Sequence, residues 1–417
     1  MKKLKIYFAI SIIILLSQVV TTSCYKDYVE IPQNDTLGLL LGTTPLTDTM
    51  MKKIEGIYNA NSSIFGNKVV LKAIGNKYLS VFALKSESYI ILQAGIKDSS
   101  IIFQGYWRFA SNPETGLVIM NITPENGSKQ IIQGAQPNNI ILNGFFGRYS
   151  EYPANEFELT FLQPITKTID NYWIIAHRGG GRNADLLPAS ENSLGIIEYS
   201  ERLGANAIEI DVMQTKDGVP VLFHDEIMSK RLINEDYFIG KISDYSFAQL
   251  SSFCTLKDGS RIPTLDEALQ TVVDKTNLKL VWIDTKSTGM MEKLVTLQQK
   301  YIALAAQKGK TLEILIGIPS IEVYNEFTNY PNFQNYPSIC ELDENYLAQA
   351  KSKIWAPRWS LGLLDERVGS FHNNGVRSFV WTLDETELVR SFIKKGNFDG
   401  IVTNFPSIVA YEYYTSE

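Results

Sequence analysis

Apolar and polar positions follow two different patterns along the chain, and the change falls near residue 167. Across residues 34–166, short apolar runs follow one another and Gly or Asn residues separate them, as at Asn143-Gly144. Evenly spaced short strands of this kind are typical of an antiparallel sandwich or a closed barrel. The pattern predicts a helix at 47–58 and strands at 68–72, 89–92, 101–103, 117–120, 139–142 and 157–161.

Beyond residue 167 the apolar runs alternate with segments of helical periodicity. Strand-helix alternation over roughly 245 residues predicts a parallel α/β sheet closed into a (β/α)8 barrel of the TIM type. Nine strands are predicted, so one of them lies outside an eight-stranded barrel or is misassigned. The strands are 173–177, 207–212, 219–223, 279–284, 313–318, 337–341, 353–359, 377–383 and 400–403, and helices are predicted at 193–203, 264–274, 290–307 and 384–394.

Two segments of the N-terminal half, 103–109 and 144–149, combine aromatic residues with an arginine. Such segments can face a sugar or a lipid, but core packing and cross-strand pairing are the commoner uses of strand aromatics. We therefore expect both segments to pack within the N-terminal domain.

Composition narrows the class of protein. Hydrophobic residues make up 45% of the 417 positions and charged residues 20%, so the chain can bury a large core. The net charge is -6 and no cluster of Lys and Arg follows the first residues, which argues against nucleic acid as a partner. We expect a signal segment at 1–24, a β-rich domain at 25–166 and the barrel at 167–417.

The first 24 residues resemble an export signal, because a basic start precedes an apolar run at 6–16 and Cys24 follows. A cysteine at this place resembles the lipobox of bacterial lipoproteins, although Thr21 stands where Leu is usual. The resemblance implies an exported protein, periplasmic or at the cell surface, that a lipid on Cys24 anchors to the membrane. An ordinary cleaved signal or an uncleaved anchor is the alternative.

The two other cysteines, Cys254 and Cys340, are expected to be buried thiols. A disulfide between them is the alternative in an oxidising compartment.

Polar residues end several of the predicted barrel strands. Side chains at the carboxyl ends of barrel strands surround one pocket, although they lie far apart in the sequence. We therefore expect one site to contain His177, Glu209, Asp211, His224, Asp284 and Trp381.

Two carboxylates stand two residues apart on one strand. Glu209 and Asp211 share a face, while Ile208 and Ile210 point into apolar packing. Neighbouring carboxylates repel each other unless a cation lies between them, and Asp284 supplies a third one. An oxygen-only ligand set favours Mg²⁺ or Ca²⁺ over zinc. Taken singly, each acid could instead be a solvated strand end or part of a surface ion pair.

His177 and His224 are the candidates for acid-base catalysis, because imidazole titrates near neutral pH. Arg178 offers a planar fork that suits a phosphate, and Lys286 can meet a phosphate oxygen from the same side as Asp284. The third histidine, His372, receives no role.

A helix is expected to start after the first motif. Ser190 is predicted as its N-cap, which places Glu191 and free amide groups in the first turn. This helix terminus would then help to hold an anion, or fix Arg178 through Glu191. A glutamate at a helix start is otherwise an ordinary choice that favours the helix dipole.

Eight short motifs of the C-terminal half stand in a characteristic order and spacing. They are His177-Arg178-Gly179, Ser190-Glu191-Asn192-Ser193, Glu209-Ile210-Asp211-Val212, Asp217-Gly218, His224-Asp225, Ile262-Pro263-Thr264-Leu265, Trp381-Thr382 and Asp399-Gly400-Ile401-Val402-Thr403-Asn404. From about residue 173 to the C-terminus, the chain resembles the glycerophosphodiester phosphodiesterase family. Segment 226–260 resembles the insertion that distinguishes this family within its barrel superfamily.

The resemblance implies hydrolysis of a small-molecule glycerophosphodiester to glycerol 3-phosphate and an alcohol. It implies that Glu209, Asp211 and Asp284 hold the divalent cation and that the two motif histidines do the acid-base work. The residues then expected at the substrate are Arg178, Lys286, Glu191 and Trp381.

Three positions depart from the family pattern. Asp284 stands where the family usually has Glu, and its side chain is one methylene shorter. Ser190 stands where the family has Pro, and the loop after Gly179 is long. Asn404 replaces the usual Asp, which we expect to affect loop structure more than chemistry.

Two alternatives to this enzyme stay open from the sequence. The Asp284 change could have abolished turnover, leaving a surface protein that binds phosphorylated or sugar ligands. The enzyme could also act on an intact phospholipid or on a polyol-phosphate polymer.

Overall fold

Two closed barrels, one antiparallel and one parallel, make up the computed structural model. It describes residues 31–32, 37–75, 77–169 and 172–416. The predicted export signal and Cys24 lie outside these residues. Within them, no helix has both the length and the apolar character needed to cross a membrane.

The N-terminal domain is an eight-stranded antiparallel barrel, so the barrel alternative is the correct one. Each strand from β2 to β9 pairs with the next along the chain, and β9 pairs back with β2. A short strand, β1, adds to β5 outside this circle. The strands are β1 Thr44–Pro45, β2 Gly56–Ser62, β3 Gly66–Ile74, β4 Tyr78–Ala83, β5 Ser88–Lys97, β6 Ser100–Phe109, β7 Thr115–Ile122, β8 Ile141–Phe146 and β9 Asn155–Gln163.

The interior of this barrel is a packed apolar core. Phe65, Trp107, Phe146 and Phe157 contact one another edge to face or at a tilt, with ring centroids 5.1–6.2 Å apart. Aromatic pairs in these arrangements add to the stability that burial alone gives. The prediction that segment 103–109 packs a core is therefore confirmed for Trp107.

Two N-terminal predictions are wrong. The helix predicted at 47–58 ends at Ile54, because the chain enters β2 at Gly56. The strand β4 was missed because five of its six residues are buried, so it shows no alternation of apolar and polar positions.

The C-terminal domain is a TIM-type barrel, as predicted. Eight parallel strands close through the pairing of β10 with β11, and the ninth, β12, pairs antiparallel with β11 outside the barrel. The strands are β10 Trp173–Ala176, β11 Ala207–Gln214, β12 Pro220–Leu222, β13 Leu280–Thr285, β14 Glu313–Ile318, β15 Ser338–Cys340, β16 Ile354–Trp355, β17 Arg377–Val380 and β18 Gly400–Thr403.

Helices cover the outside of the parallel barrel and are few in the N-terminal domain. Thr264 and Glu267 form a capping box at the start of α5, which shows why that helix begins there. The helices are α1 Asp48–Ile54, α2 Ser128–Ile132, α3 Leu194–Ser200, α4 Phe247–Phe253, α5 Leu265–Lys275, α6 Met291–Gln307, α7 Ile321–Asn329, α8 Glu344–Gln349, α9 Asp365–Asn373, α10 Thr386–Lys395 and α11 Pro406–Thr415.

The two barrels share a buried apolar interface. Phe82, Tyr89 and Tyr106 of the N-terminal barrel belong to one core cluster with Tyr199 and residues of α11. Helix α11 is buried along nearly its whole length, which a helix between two barrels requires.

The remaining cysteines are free and buried, as expected. Cys254 lies at the end of α4 and Cys340 at the end of β15. Burial raises the pKa of each thiol to about 12, so neither is a reactive thiolate at neutral pH.

Candidate active site

Side chains that lie far apart in the sequence of the C-terminal barrel meet at one mouth of that barrel. They line a cavity of about 610 Å³. Asp211 and Glu191 are buried and do not themselves line this cavity. The predicted site residues that do line it are His177, Arg178, Glu209, His224, Asp284, Lys286 and Trp381.

The pairing of β11 with β13 brings the three acidic side chains together. Asp211 and Asp284 are direct partners across these parallel strands, and Glu209 lies two residues earlier on β11. One carboxylate oxygen from each lies within 4.8 Å of the others. Ile208 and Ile210 point the opposite way and pack in the apolar core between sheet and helices.

The free oxygens of this cluster fit a hard cation. Glu209 Oε1 and Asp284 Oδ1 are buried and have no hydrogen-bond partner, and Asp211 Oδ1 is buried with Lys286 Nζ 3.1 Å away as its ion-pair partner. Buried polar atoms in native proteins are nearly always satisfied, so two oxygens without a partner in a cluster of three buried carboxylates indicate a binding position. An all-oxygen donor set is the one that hard divalent cations prefer.

Repulsion among the acids perturbs their titration. Burial, followed by the charges of Asp211 and Asp284, raises the pKa of Glu209 well above its usual range. Burial also raises the pKa of Asp284. For Asp211 the effect of burial is exceeded by the charge of Lys286 and other nearby basic groups, which lower its pKa. A dication would relieve this repulsion directly.

Lys286 partly balances the cluster. Its Nζ lies 3.1 Å from Asp211 Oδ1 and also pairs with Asp284. Burial opposes ionisation, but the charges of these two acids raise the pKa of Lys286 above its usual range. Lys286 is therefore charged at neutral pH, at the edge of the cavity where a phosphate oxygen can meet it.

His177 is oriented by a network that begins at Asp384. The carboxylate of Asp384 accepts hydrogen bonds from the backbone N and from Nδ2 of Asn404, at 2.8 and 2.6 Å. This turns Asn404 Oδ1 towards His177 Nδ1, 2.7 Å away. An amide oxygen only accepts, so Nδ1 carries the proton and Nε2, 3.8 Å from Glu209, has the free lone pair. Burial and the Arg178 charge lower the pKa of His177 to about 4, so it is neutral at pH 7.

The expectation for Asn404 is therefore wrong. Its side chain bonds directly to the ring of His177, because β18 neighbours β10 in the barrel. An amide sets the tautomer of the imidazole without adding a negative charge beside it.

His224 reaches the mouth from outside the barrel. It follows β12, which returns antiparallel to β11. Asp225 Oδ1 lies 2.7 Å from His224 Nδ1, and Arg231 donates to both oxygens of Asp225. Burial opposes the shift, but Arg231 and His224 lower the pKa of Asp225 to about 2. The ionised carboxylate of Asp225 therefore accepts a hydrogen bond from Nδ1 of His224. Nε2 is the ring nitrogen that takes no part in this bond.

Arg178 is fixed from two sides. Its backbone has a φ of 54°, a left-handed conformation, and its backbone N donates to Glu209 Oε2 at 2.8 Å. Its guanidinium donates to Glu191 Oε1 at 2.7 Å, and Glu191 also pairs with Arg231 at 3.1 Å. Of the two roles predicted for this helix start, the contacts of Glu191 match the fixing of Arg178.

The predicted cap at Ser190 is wrong. Ser193 caps α3, and its Oγ accepts from the backbone N of Ile196 at 3.2 Å. Ser190 Oγ instead accepts from the backbone N of Asp258, and Asp258 Oδ2 accepts from the backbone N of Ser190, both at 2.9 Å. This reciprocal pair ties the motif to the 226–260 insertion.

Sequence reasoning missed a fourth acid, Glu341. It follows β15, lines the cavity, and has a buried Oε1 without a hydrogen-bond partner. Burial and the charge of Asp284 raise its pKa well above the usual range. The predicted strand 337–341 ends at this residue, so the rule applied to the other strand ends would have found it.

Trp381 forms an apolar part of the cavity wall. Its Nε1 donates to the backbone O of Ala356 at 2.8 Å, which fixes the ring. The guanidinium of Arg358 lies 4.7 Å from the ring centroid, within the range of a cation–π contact.

Comparison with known proteins gives a family match for this half of the chain. The model of the "Glycerophosphoryl diester phosphodiesterase family" matches residues 177–408, which is more than half of the 417 residues. The matched segment runs from His177 through all three acids to the start of α11.

Individual relatives match over the same half. A glycerophosphodiester phosphodiesterase from Caldanaerobacter subterraneus is 29% identical over 250 residues, covering 56% of this chain and 94% of its own length. One from Bacillus altitudinis is 24% identical over 246 residues, covering 56% and 94%. The crystal structure of a glycerophosphodiester phosphodiesterase from Parabacteroides distasonis is 21% identical with a TM-score of 0.45, covering 57% of this chain and 95% of that one.

Proposed function

Because this chain belongs to the glycerophosphoryl diester phosphodiesterase family, we propose that it hydrolyses glycerophosphodiesters to glycerol 3-phosphate and an alcohol by metal-dependent catalysis with two histidines. Family membership makes it a phosphoric diester hydrolase. One observation supports the finer proposal: three buried carboxylates, two of them with an oxygen that has no hydrogen-bond partner, have oxygens within 4.8 Å of one another, and His177 and His224 line the same cavity.

The acidic cluster is the proposed cation site. Glu209, Asp211 and Asp284 would hold one divalent ion, Mg²⁺ or Ca²⁺, through oxygen ligands. Such an ion, when bound, neutralises charge that develops on the phosphoryl oxygens. Lys286 adds a positive charge on the same side, and Arg178, held by Glu191, can donate to another phosphate oxygen.

His177 is the proposed general base. Its Nδ1–H is directed at Asn404, so Nε2 can take the proton of the attacking hydroxyl as the new P–O bond forms. The lowered pKa of about 4 keeps the lone pair available at neutral pH.

His224 is the proposed general acid. The carboxylate of Asp225 lies 2.7 Å from Nδ1 and stabilises the positive charge of an imidazolium. Nε2 can then give its proton to the leaving alkoxide as the old P–O bond breaks. In net hydrolysis one water supplies the attacking hydroxyl, so His177 ends with a proton taken from that water and His224 has lost one to the alcohol. A proton must return from His177 to His224 through solvent before the next turnover.

Trp381 and the cavity wall near it are proposed to contact the rest of the substrate. A ring fixed by its hydrogen bond to Ala356 offers a flat apolar face beside the reacting groups.

The direct test is turnover of glycerophosphoethanolamine, with release of glycerol 3-phosphate followed enzymatically. We expect turnover with Mg²⁺ or Ca²⁺, loss of turnover with a chelator, and loss in His177→Ala. Turnover that survives both the chelator and His177→Ala contradicts the proposed mechanism. Binding of the substrate without product favours the alternative of a binding protein, and an intact phosphatidylethanolamine vesicle, assayed in parallel, tests the lipid substrate.

We also propose that the protein is exported and anchored through a lipid on Cys24, on the strength of its N-terminal sequence alone. Metabolic labelling with a fatty-acid analogue in a bacterial host tests this. Label should appear on the full chain and disappear in Cys24→Ala; equal labelling of both contradicts the proposal.

A further inference from the structure

The N-terminal barrel places a buried cation against the main chain of the active-site loop. Arg108, on β6, is 0% exposed. Its Nη1 donates to the backbone O of Leu186 at 2.8 Å and its Nη2 to the backbone O of Asp185 at 3.5 Å. Among the described residues, no carboxylate forms an ion pair with Arg108, and its guanidinium lies over the ring of Tyr89, 6.0 Å from the centroid.

Burial of a guanidinium without a carboxylate partner costs free energy at a domain interface. Desolvation of a charge costs several kcal/mol, and apolar side chains of similar size often pack at no loss of stability. What a guanidinium adds is a rigid fork of donors that fixes the position of two carbonyl oxygens. The contact therefore controls where the main chain at 185–186 lies.

The loop that Arg108 holds leads to His177. Asp185 accepts from the backbone N, Nε and Nη2 of Arg182 at 2.8, 3.1 and 2.8 Å. Nη2 of Arg182 lies 3.9 Å from Asp384, the residue that orients Asn404. Gly181 packs so closely that an added Cβ would lie 2.9 Å from the backbone O of Asn404.

The same loop leads to Arg178 by a second route. The backbone N of Asn183 donates to Glu191 Oε2 at 2.8 Å, and Asn183 Oδ1 accepts from the backbone N of Glu191 at 2.9 Å. Glu191 in turn holds the guanidinium of Arg178. Both cavity residues of the first motif therefore depend on where residues 181–191 lie.

Helix α3, which follows residues 181–191, also contacts the N-terminal barrel. Tyr199 on α3 shares hydrogen bonds with the hydroxyl groups of Tyr106, at 2.7 Å, and Tyr89, at 3.4 Å. Arg108 and these tyrosines thus contact the segment between β10 and the end of α3 at two points.

We propose that Arg108 is a positioning residue for the reaction and that the N-terminal barrel acts as an internal support for the active-site loop. It fixes residues 181–191 so that Asn404 holds His177 in its Nδ1-protonated form and Glu191 holds Arg178 at the cavity. This inference rests on the proposed function, because its kinetic consequence is measured on glycerophosphodiester hydrolysis.

The test compares Arg108→Met and Arg108→Lys with a matched control, Ser80→Ala. Ser80 is also fully buried, and its Oγ makes a hydrogen bond of the same type across the interface, to the backbone O of Arg202 at 2.8 Å. Arg202 lies beyond the end of α3, so this bond does not contact the loop at residues 181–191. Activity is measured well below the melting temperature of each variant, with KM and kcat determined separately.

We expect Arg108→Met to lower kcat about 10- to 100-fold with KM changed less than about twofold, because a small misplacement of catalytic groups is costly. Arg108→Lys should recover part of the loss, since it restores one donor without the fork. Ser80→Ala should keep the kcat of the wild type. A kcat of Arg108→Met within twofold of the wild type, or an equal loss in Ser80→Ala, overturns the proposal.

A second readout is independent of turnover. The chain has three histidines, so side-chain proton–nitrogen NMR spectra of metal-free protein can resolve the tautomer of His177, assigned with His177→Gln. We expect one tautomer, protonated at Nδ1, in the wild type and in Ser80→Ala, and a mixture in Arg108→Met. A single unchanged tautomer in Arg108→Met overturns the proposal even if the enzyme has another substrate.

If Arg108→Met does not fold, Arg182→Gln replaces it. Arg182 is 39% exposed at its side chain, so its loss removes the link to Asp384 without opening the interface. The same fall in kcat and the same mixed tautomer are expected. Wild-type values for both overturn the proposal.

Discussion

Each half of this molecule closes eight strands into a barrel, and the candidate active site lies in one of the two, the parallel barrel. In the N-terminal barrel, neighbouring strands run in opposite directions, so the carboxyl ends of its strands divide between two rims. In the C-terminal barrel all eight strands run the same way, and every carboxyl end faces one mouth.

The interiors differ in the same sense. Aliphatic and aromatic side chains form a buried core in the antiparallel barrel, while the parallel barrel leaves a cavity of about 610 Å³ at its mouth. Within the part of the chain that the structure describes, one group of three acids could hold a metal ion, and it lies in the parallel barrel. Strand direction thus decides where polar strand ends can meet, and barrel closure does not.

The largest effect on kcat should come from replacing one carboxylate oxygen of the acidic cluster by an amide nitrogen. Asp211→Asn should lower kcat about 10³-fold or more and weaken Mg²⁺ or Ca²⁺ binding, because the cation supplies several kcal/mol of charge stabilisation. The matched change in the other barrel is Glu55→Gln, which breaks an ion pair with Lys72 of 2.8 Å. Initial rates measured at increasing metal concentration check the prediction for both variants. Near-normal turnover in Asp211→Asn would contradict the claim that the acidic cluster of the parallel barrel is needed for catalysis.

The histidines should come next. His177→Gln and His224→Gln should each lower kcat by about 10²-fold or more, as expected for loss of a general base or acid. His372→Gln is the control, because His372 pairs with Asp399 at 2.8 Å outside the cavity and has no proposed role. Equal losses in all three variants would mean that the effect is structural.

A core change in the N-terminal barrel should affect stability instead of rate. Phe157→Ala should lower the free energy of unfolding by about 3–5 kcal/mol, because it leaves a cavity among packed rings. The kcat of the folded enzyme should stay near that of the wild type, since Phe157 lies inside the barrel, away from the interface with the loop. Urea unfolding and rates in buffer measure the two quantities. A fall in kcat without a fall in stability would contradict this.

The smallest effect is expected at the partner of His224. Asp225→Asn should lower kcat about tenfold, because a hydrogen bond to a charged partner contributes about 1.5–3 kcal/mol and this one is partly exposed. Although burial opposes the shift, Arg231 and His224 lower the pKa of Asp225 to about 2, so this carboxylate is ionised across the whole assay range. Asp399→Asn, which alters the pair of His372 in the same way, should leave kcat unchanged.

The parallel barrel could be predicted from the sequence because its strands are buried on both sides and its polar residues stand at strand ends. Asp284 follows from that rule, and Glu209 and Asp211 were found as two carboxylates two residues apart on one strand, β11. Glu341 also obeys the strand-end rule, because it directly follows β15, and the same rule would have found it.

The remaining parts depend on contacts between distant residues, which periodicity does not encode. Asn404 acts on His177 only because β18 and β10 are neighbours. Arg108 lies within an aromatic strand segment and gives no sign that it reaches Leu186 in the other domain. Strand β4 was missed because the second barrel covers its outer face and removes the polar positions that mark a surface strand.

The central claim is that one hard cation binds between Glu209, Asp211 and Asp284. A crystal structure with Mn²⁺, with the ion located by its anomalous scattering, tests it directly. We predict one peak within about 2.0–2.6 Å of an oxygen of all three acids, between His177 and His224. A peak elsewhere, or one that Glu209 and Asp211 contact while Asp284 stays paired with Lys286, would contradict the claim.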